Sequence, residues 1–216
     1  KLIFDVIAAP YAEDYIRSGH ERANHLQTVL GKNGYQLSNF RDILDFGCGC
    51  GRIIRHIKKI APNSQLFGSD YNSRLIKWCQ NNLTFATFFQ NDLFPPLNLK
   101  DEQIDFCYAF SVFTHLSEEL QYKWIKELHR ILKKDGVLLF TCHGAAFIHT
   151  LSYEEREKLD EDKLVVFLSN HAGKNICGAF HPYNFVVNKL INGFTLIDFI
   201  PANKKGDQDI YIVRKN

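Results

Sequence analysis

Three glycines at alternate positions, Gly47, Gly49 and Gly51, stand between the apolar run Ile43-Leu44-Asp45-Phe46 and a helix-like pattern of Ile53, Ile54, Ile57 and Ile60. Glycine lacks the Cβ that keeps a ligand off the backbone, and it accepts positive φ. A buried strand turning sharply into a helix at such a segment presents unpaired N–H groups to an electron-rich partner. Two acids end later strand-like runs, Asp70 after Leu66 to Ser69 and Asp92 after Thr84 to Gln90 and Asn91. A carboxylate so placed accepts hydrogen bonds from hydroxyl or amino groups. Spacing then narrows the ligand. The dinucleotide fingerprint Gly-x-Gly-x-x-Gly has its third glycine one residue later, and no Gly-Lys-Ser/Thr follows as a phosphate-binding loop requires. The pattern suits a nucleotide-like ligand. Histidine is the side chain that titrates nearest neutrality. His115 and His143 follow two further strand-like runs, and His181 lies in Phe180-His181-Pro182.

The elements that must hold these residues alternate. Apolar runs at 43–46, 66–70, 84–90, 104–110 and 137–142 read as strands, and helical stripes separate them. Ile53 to Ile60 makes one stripe, stopped by Pro62, and Leu75, Ile76 and Trp78 make the next. Ser117 is an N-cap before Glu118 and Glu119, with Leu120, Trp124, Leu128 and Ile131 as the buried face. Such alternation predicts a parallel sheet covered on both faces. Upstream, Tyr15, Leu26, Val29 and Leu30 read as two helices, with Gly19 between them and Gly31 and Gly34 as stops. Residues 144–182 break the rhythm with a charged helix over 153–163, and are expected to be an insertion over one end of the sheet. A helix at 185–190 and strands at 194–200 and 210–213, joined by a polar loop, close the chain.

At 216 residues, 45% apolar and 23% charged, the sequence suits a single globular domain over 1–216. A net charge of +2 gives no electrostatic argument for a nucleic-acid partner. The six cysteines are scattered, as buried thiols of a reducing compartment would be, and no apolar run reaches the 18 or so residues of a membrane span. Cytoplasm is the expected location. Cys48 and Cys50 lie too close together for a usual zinc knuckle, so no metal is expected. Methionine is absent even at position 1, so the chain is expected to be part of a longer one.

The order and separation of Leu44 to Arg52, Gly68-Ser69-Asp70-Tyr71-Asn72, Asn91-Asp92-Leu93, Asp105 to Leu116 and Leu132 to Gly136 resemble the class I S-adenosylmethionine-dependent methyltransferases, small-molecule branch. The resemblance implies a Rossmann-like α/β fold, with seven strands, mostly parallel, one antiparallel, and helices on both faces. It implies S-adenosylmethionine as cofactor, its methionine part facing the turn of Asp45, Gly47, Cys48, Gly49 and Gly51. Asp70 would hold the ribose, Asp92 the adenine amino group, and Leu93 and Tyr71 the faces of the ring. Asn91, Phe110 and Ser111 complete the implied set.

Methyl transfer from a sulfonium is an in-line displacement, so catalysis rests on holding the acceptor in line. A hydroxyl acceptor must also lose a proton, which calls for a base. His115 is the first choice and His143 the second, with Phe113 and His181 expected in the acceptor pocket. The acceptor is expected to be a small molecule bearing a hydroxyl, such as a sugar or natural-product intermediate, and not nucleic acid. The alternatives are a non-catalytic cofactor-binding domain and a nicotinamide-dependent oxidoreductase. Sequence leaves the oligomeric state open.

Overall fold

A computed structural model describes residues 11–204 and 206–216. Residues 1–10, where the first helical stretch was expected to start, and Lys205 in the closing loop lie outside the described residues. One 21-residue helix, α1 (Ala12–Lys32), replaces the two expected helices. Gly19 does not interrupt it. A Cβ at that position would lie 2.2 Å from the Arg52 carbonyl oxygen, so the glycine lets α1 lie directly on the glycine turn. The side chains of Tyr15, Ala23, Leu26 and Leu30 recur on the same buried face.

The strands are β1 (Asp42–Phe46), β2 (Gln65–Asp70), β3 (Thr87–Gln90), β4 (Ile104–Ala109), β5 (Leu132–Cys142), β8 (Phe194–Ile200) and β9 (Asp209–Lys215), in the spatial order β3-β2-β1-β4-β5-β9-β8. The first five are parallel, and β9 runs antiparallel to both its neighbours, which makes it the one reversed strand. β1 is buried along its whole length, as a strand covered on both faces must be. Helices α2 (Ile54–Ile60) and α3 (Ser73–Asn82) pack with α1 on one face. Helix α4 (Glu118–Ile131) and residues 183–190 cover the other, where Trp124, Leu128, Phe185 and Leu190 meet Phe46, Cys107, Phe140 and Tyr211. β3 starts later than read because residues 84–86 form a turn, and β4 stops at Ala109 because Ser111 adopts φ +59.

Register brings the strand ends together. Phe46 lies beside Ser69, and Asp70 beside Gln90, so β1, β2 and β3 finish at one edge. After β3 the chain crosses to β4 on the far side of β1, which opens a crevice at the strand carboxyl ends. Residues 144–182 leave the main sheet. They carry helix α5 (Tyr153–Asp160), capped by a reciprocal Ser152–Glu155 pair, and an antiparallel hairpin of β6 (Val165–Phe167) and β7 (Gly178–Phe180). Helix α5 ends short of Lys163 because Asp162 turns the chain at φ +57. The hairpin is hooked to the end of β5 by a bridge between His143 and Phe180 and by the His181 N–H donating to the His143 carbonyl at 2.8 Å.

Candidate active site

The crevice is a cleft of about 880 Å³. The glycine turn forms one wall, with Gly47, Gly49 and Gly51 at φ +80, +56 and +72. The N–H groups of Gly47 and Cys48 both donate to the Ser69 carbonyl, and Gly51 N–H donates to the Cys48 carbonyl. Arg55 donates to the carbonyls of Cys50 and Gly51 and closes the turn from behind. A Cβ on Gly47 would lie 2.4 Å from Val112 Cγ2, so the turn and the segment after β4 are in close contact.

Asp70 ties this turn to β2. Its Oδ2 accepts from Gly49 N–H and its Oδ1 from Asn72 N–H, each at 2.8 Å. Burial raises its pKa, and those two amide bonds oppose the rise. Asn72 also caps α3 by accepting from Arg74 N–H. Asp45 is buried deeper at the floor of the cleft. Burial pushes its pKa up to about 7, with Tyr108 and Arg52 favouring the ionised form and Asp70 opposing it. Farther along, Tyr71, Asn91, Asp92 and Leu93 form the third wall, and the Trp124 indole N–H donates to the Leu93 carbonyl. Asn91 Oδ1 is buried without a hydrogen-bond partner. An orphaned acceptor beside hydroxyl-accepting carboxylates and a Cβ-free backbone fits a nucleoside with amino and hydroxyl groups.

Ser111 and His115 line the opposite end. The Ser111 N–H donates to Thr141 Oγ1, and both its own hydroxyl and that of Thr141 donate to Gln208 Oε1. This fastening holds Ser111 at a positive φ that serine seldom adopts. His115 Nδ1 lies 2.7 Å from the Cys177 carbonyl. A carbonyl only accepts, so Nδ1 carries a proton, and in the neutral ring the lone pair is on Nε2. His143 stands behind, its ring 6.5 Å from that of His115 and 4.1 Å from that of Phe147. Burial, with His115 adding to it, lowers its pKa to about 4.

Asp45, Gly47, Cys48, Gly49, Asp70, Tyr71, Asn91, Asp92, Leu93, Phe110, Ser111 and His115 all face the one cleft. Gly51 sits behind the turn, where an added Cβ would be 2.4 Å from Leu83 Cδ1. Phe113 and His181 depart from the expected acceptor pocket. Phe113 is fully buried against Phe140, and His181, 2% exposed, pairs through Nε2 with Gln121 Oε1. Both are core residues beneath the cleft and not its wall. His143 likewise lies outside the lining. Sequence reading missed Arg52, Arg74 and Lys174 in the lining, and Thr141 and Gln208 behind Ser111. Among the described residues no cluster of three or more metal-ligating side chains occurs, and no helix is long and apolar enough to cross a membrane. All six cysteines are free and buried.

A sheet of this order, with a glycine turn after β1 and a carboxylate ending β2, is the Rossmann-like arrangement that the resemblance to class I S-adenosylmethionine-dependent methyltransferases implied. Residues 43–136 match the family model of the methyltransferase domain. The matched segment carries the glycine turn, Asp70 and Asp92, and the methyltransferases it resembles include one solved with bound S-adenosylmethionine. The chain is 27% identical over 139 residues to a malonyl-[acyl-carrier protein] O-methyltransferase of Bacillus cereus, covering 63% of this chain and 50% of that one. It is also 27% identical over 114 residues to a tRNA N(3)-methylcytidine methyltransferase of Schizosaccharomyces pombe, covering 47% and 45%. The chain thus spans about half the length of these curated relatives. In fold it is similar to magnesium protoporphyrin IX methyltransferase from Synechocystis PCC 6803 with bound S-adenosylhomocysteine. The TM-score is 0.62 at 18% identity, over 99% of this chain and 91% of that one.

Proposed function

We propose that the chain transfers a methyl group from S-adenosylmethionine to a hydroxyl oxygen of a small-molecule acceptor. The observation that carries the reading is one cleft with a nucleoside-holding end at Asp70 and a histidine of fixed tautomer at the other. When bound, the cofactor supplies an activated methyl group on a sulfonium. Asp70 accepts from the ribose hydroxyls while its amide bonds keep the glycine turn in place. Asn91 and Asp92 accept from the adenine amino group, with Leu93 and Tyr71 against the ring. Asp45, Gly47, Cys48 and Gly49 form the floor for the methionine part, and Phe110 and Ser111 border it. His115 Nε2 accepts the proton of the acceptor hydroxyl, and the Cys177 carbonyl steadies the resulting imidazolium.

His143 stays neutral behind His115 and adds no competing charge at pH 7. The match to the tRNA enzyme spans 114 residues, and the family match lies within 43–136, which includes the turn, Asp70 and Asp92. Those are donor-end residues, which enzymes for any acceptor share. The net charge of +2 supports a small molecule over RNA. Six free thiols suit a reducing compartment, and we place the protein in the cytoplasm on that ground. Calorimetry tests the donor end. S-adenosylmethionine and S-adenosylhomocysteine are expected to bind and NAD not to bind; tighter binding of NAD would overturn the reading. Donor binding without methylation of any hydroxyl acceptor would leave a non-catalytic domain.

A further inference from the structure

The hairpin crosses the cleft at its tip, and that tip holds His115 twice. The Gly173 N–H donates to the His115 main-chain carbonyl at 2.8 Å, and His115 Nδ1–H donates to the Cys177 carbonyl at 2.7 Å. One bond fixes the backbone of the segment after β4, and the other fixes the ring and its tautomer. The same loop reaches the donor end. At Gly173, with φ +83, an added Cβ would lie 2.8 Å from Leu93 Cδ1 and 3.8 Å from Tyr71 Cδ1. Leu93 and Tyr71 are therefore shared between the donor wall and the loop. The base of the hairpin is anchored independently by the β6–β7 ladder and by its bridge to His143.

We propose that residues 173–177 form a strap that orients His115 and couples that orientation to occupation of the donor end, with Gly173 as the positioning residue. The proposal deepens the reading above and rests on His115 being the base. A side chain at 173 would be strained by the positive φ and would press on Leu93 Cδ1. A side chain there moves the strap away from Leu93 and takes the Cys177 carbonyl off Nδ1. Freed of that acceptor, the ring exchanges between its two neutral tautomers, and Nε2 loses its permanent lone pair.

Nitrogen-15 NMR of histidine-labelled protein, with amide hydrogen exchange, tests this without an acceptor. In the wild type His115 is expected to be the Nδ1–H tautomer, and saturating S-adenosylhomocysteine to slow exchange of the Gly173 amide about tenfold or more. Gly173→Ala is expected to give a tautomer mixture at His115. Leu93→Ala, which leaves the strap backbone intact, is expected to keep the tautomer but lose most of the ligand-induced slowing. A folded Gly173→Ala that keeps pure Nδ1–H, or a wild type whose Gly173 exchange ignores the ligand, overturns the proposal. If Gly173→Ala does not fold, Leu93→Ala decides, since full retention of the slowing overturns the coupling. Failure of the base reading looks different: His115→Ala would keep turnover while the tautomer results stood.

Discussion

Burial pushes the Asp45 carboxyl up to about 7, so donor affinity should depend on pH near neutrality. The carboxyl is buried at the floor of the cleft, with Asp70 adding to the rise. Tyr108, Arg52 and the Ile54 amide pull the other way. The donor brings cationic groups, which favour the ionised carboxylate. A group titrating near 7 is about nine-tenths ionised at pH 8 and one-tenth at pH 6, so its contribution to affinity changes about tenfold, or ~1.4 kcal/mol. Asp45→Asn mimics the protonated acid at every pH. The affinity of the wild type divided by that of Asp45→Asn, measured by calorimetry, should therefore rise about tenfold from pH 6 to pH 8. Dividing by the variant removes the titration of the ligand's own amino group. At pH 7 the wild type should also release about half a proton on binding, read from buffers of different ionisation enthalpy. A ratio that is flat with pH would show that the Asp45 charge does not act on the donor.

Asp70→Ala should weaken S-adenosylmethionine binding by about 1.5–3 kcal/mol, because it removes a charged acceptor and leaves the Gly49 amide unpaired; equal calorimetric affinity would remove the ribose assignment. His115→Ala should lower turnover about 10²–10⁴-fold while donor affinity stays within about threefold, and full activity would exclude it as base. Acid should also destabilise the ligand-free fold. Burial lowers His143 to about 4 and His181 to about 3, so both are neutral in the fold and take up protons on unfolding. Their stabilising effect is complete above about pH 6.5 and is lost as pH falls toward those values. Asp45, raised instead, opposes this as pH falls from about 7. The urea midpoint should fall between pH 6.5 and 4, and less in His181→Gln; an identical fall in that variant would assign the loss elsewhere.

The proposed donor end was legible because its parts are local. An apolar run, three alternating glycines and an acid at a strand end each occupy a few consecutive residues, and the parallel register then sets them side by side. The acceptor end depends on contacts between distant segments. Gly19 read as a break because its reason, the Arg52 carbonyl, lies 33 positions on and meets it only after folding. Phe113 and His181 sit near the right strand ends, but their side chains turn inward to Phe140 and Gln121. Gln208 had no local signal. Its carboxamide matters because β9 returns beside β5 and delivers it to Thr141 and Ser111. The hold of Gly173 and Cys177 on His115 likewise exists only because the hairpin folds back over the cleft.

One assay decides the proposal that a single cleft holds the methyl donor and presents a small-molecule hydroxyl to it. The protein would be incubated with methyl-labelled S-adenosylmethionine, a panel of hydroxylated small molecules and bulk tRNA. Label and S-adenosylhomocysteine would then be followed by mass spectrometry. Label is expected on the oxygen of a small molecule with stoichiometric S-adenosylhomocysteine, and both are expected to be lost in His115→Ala. Label confined to tRNA, or transfer to a small molecule that survives in His115→Ala, would overturn the proposed reaction.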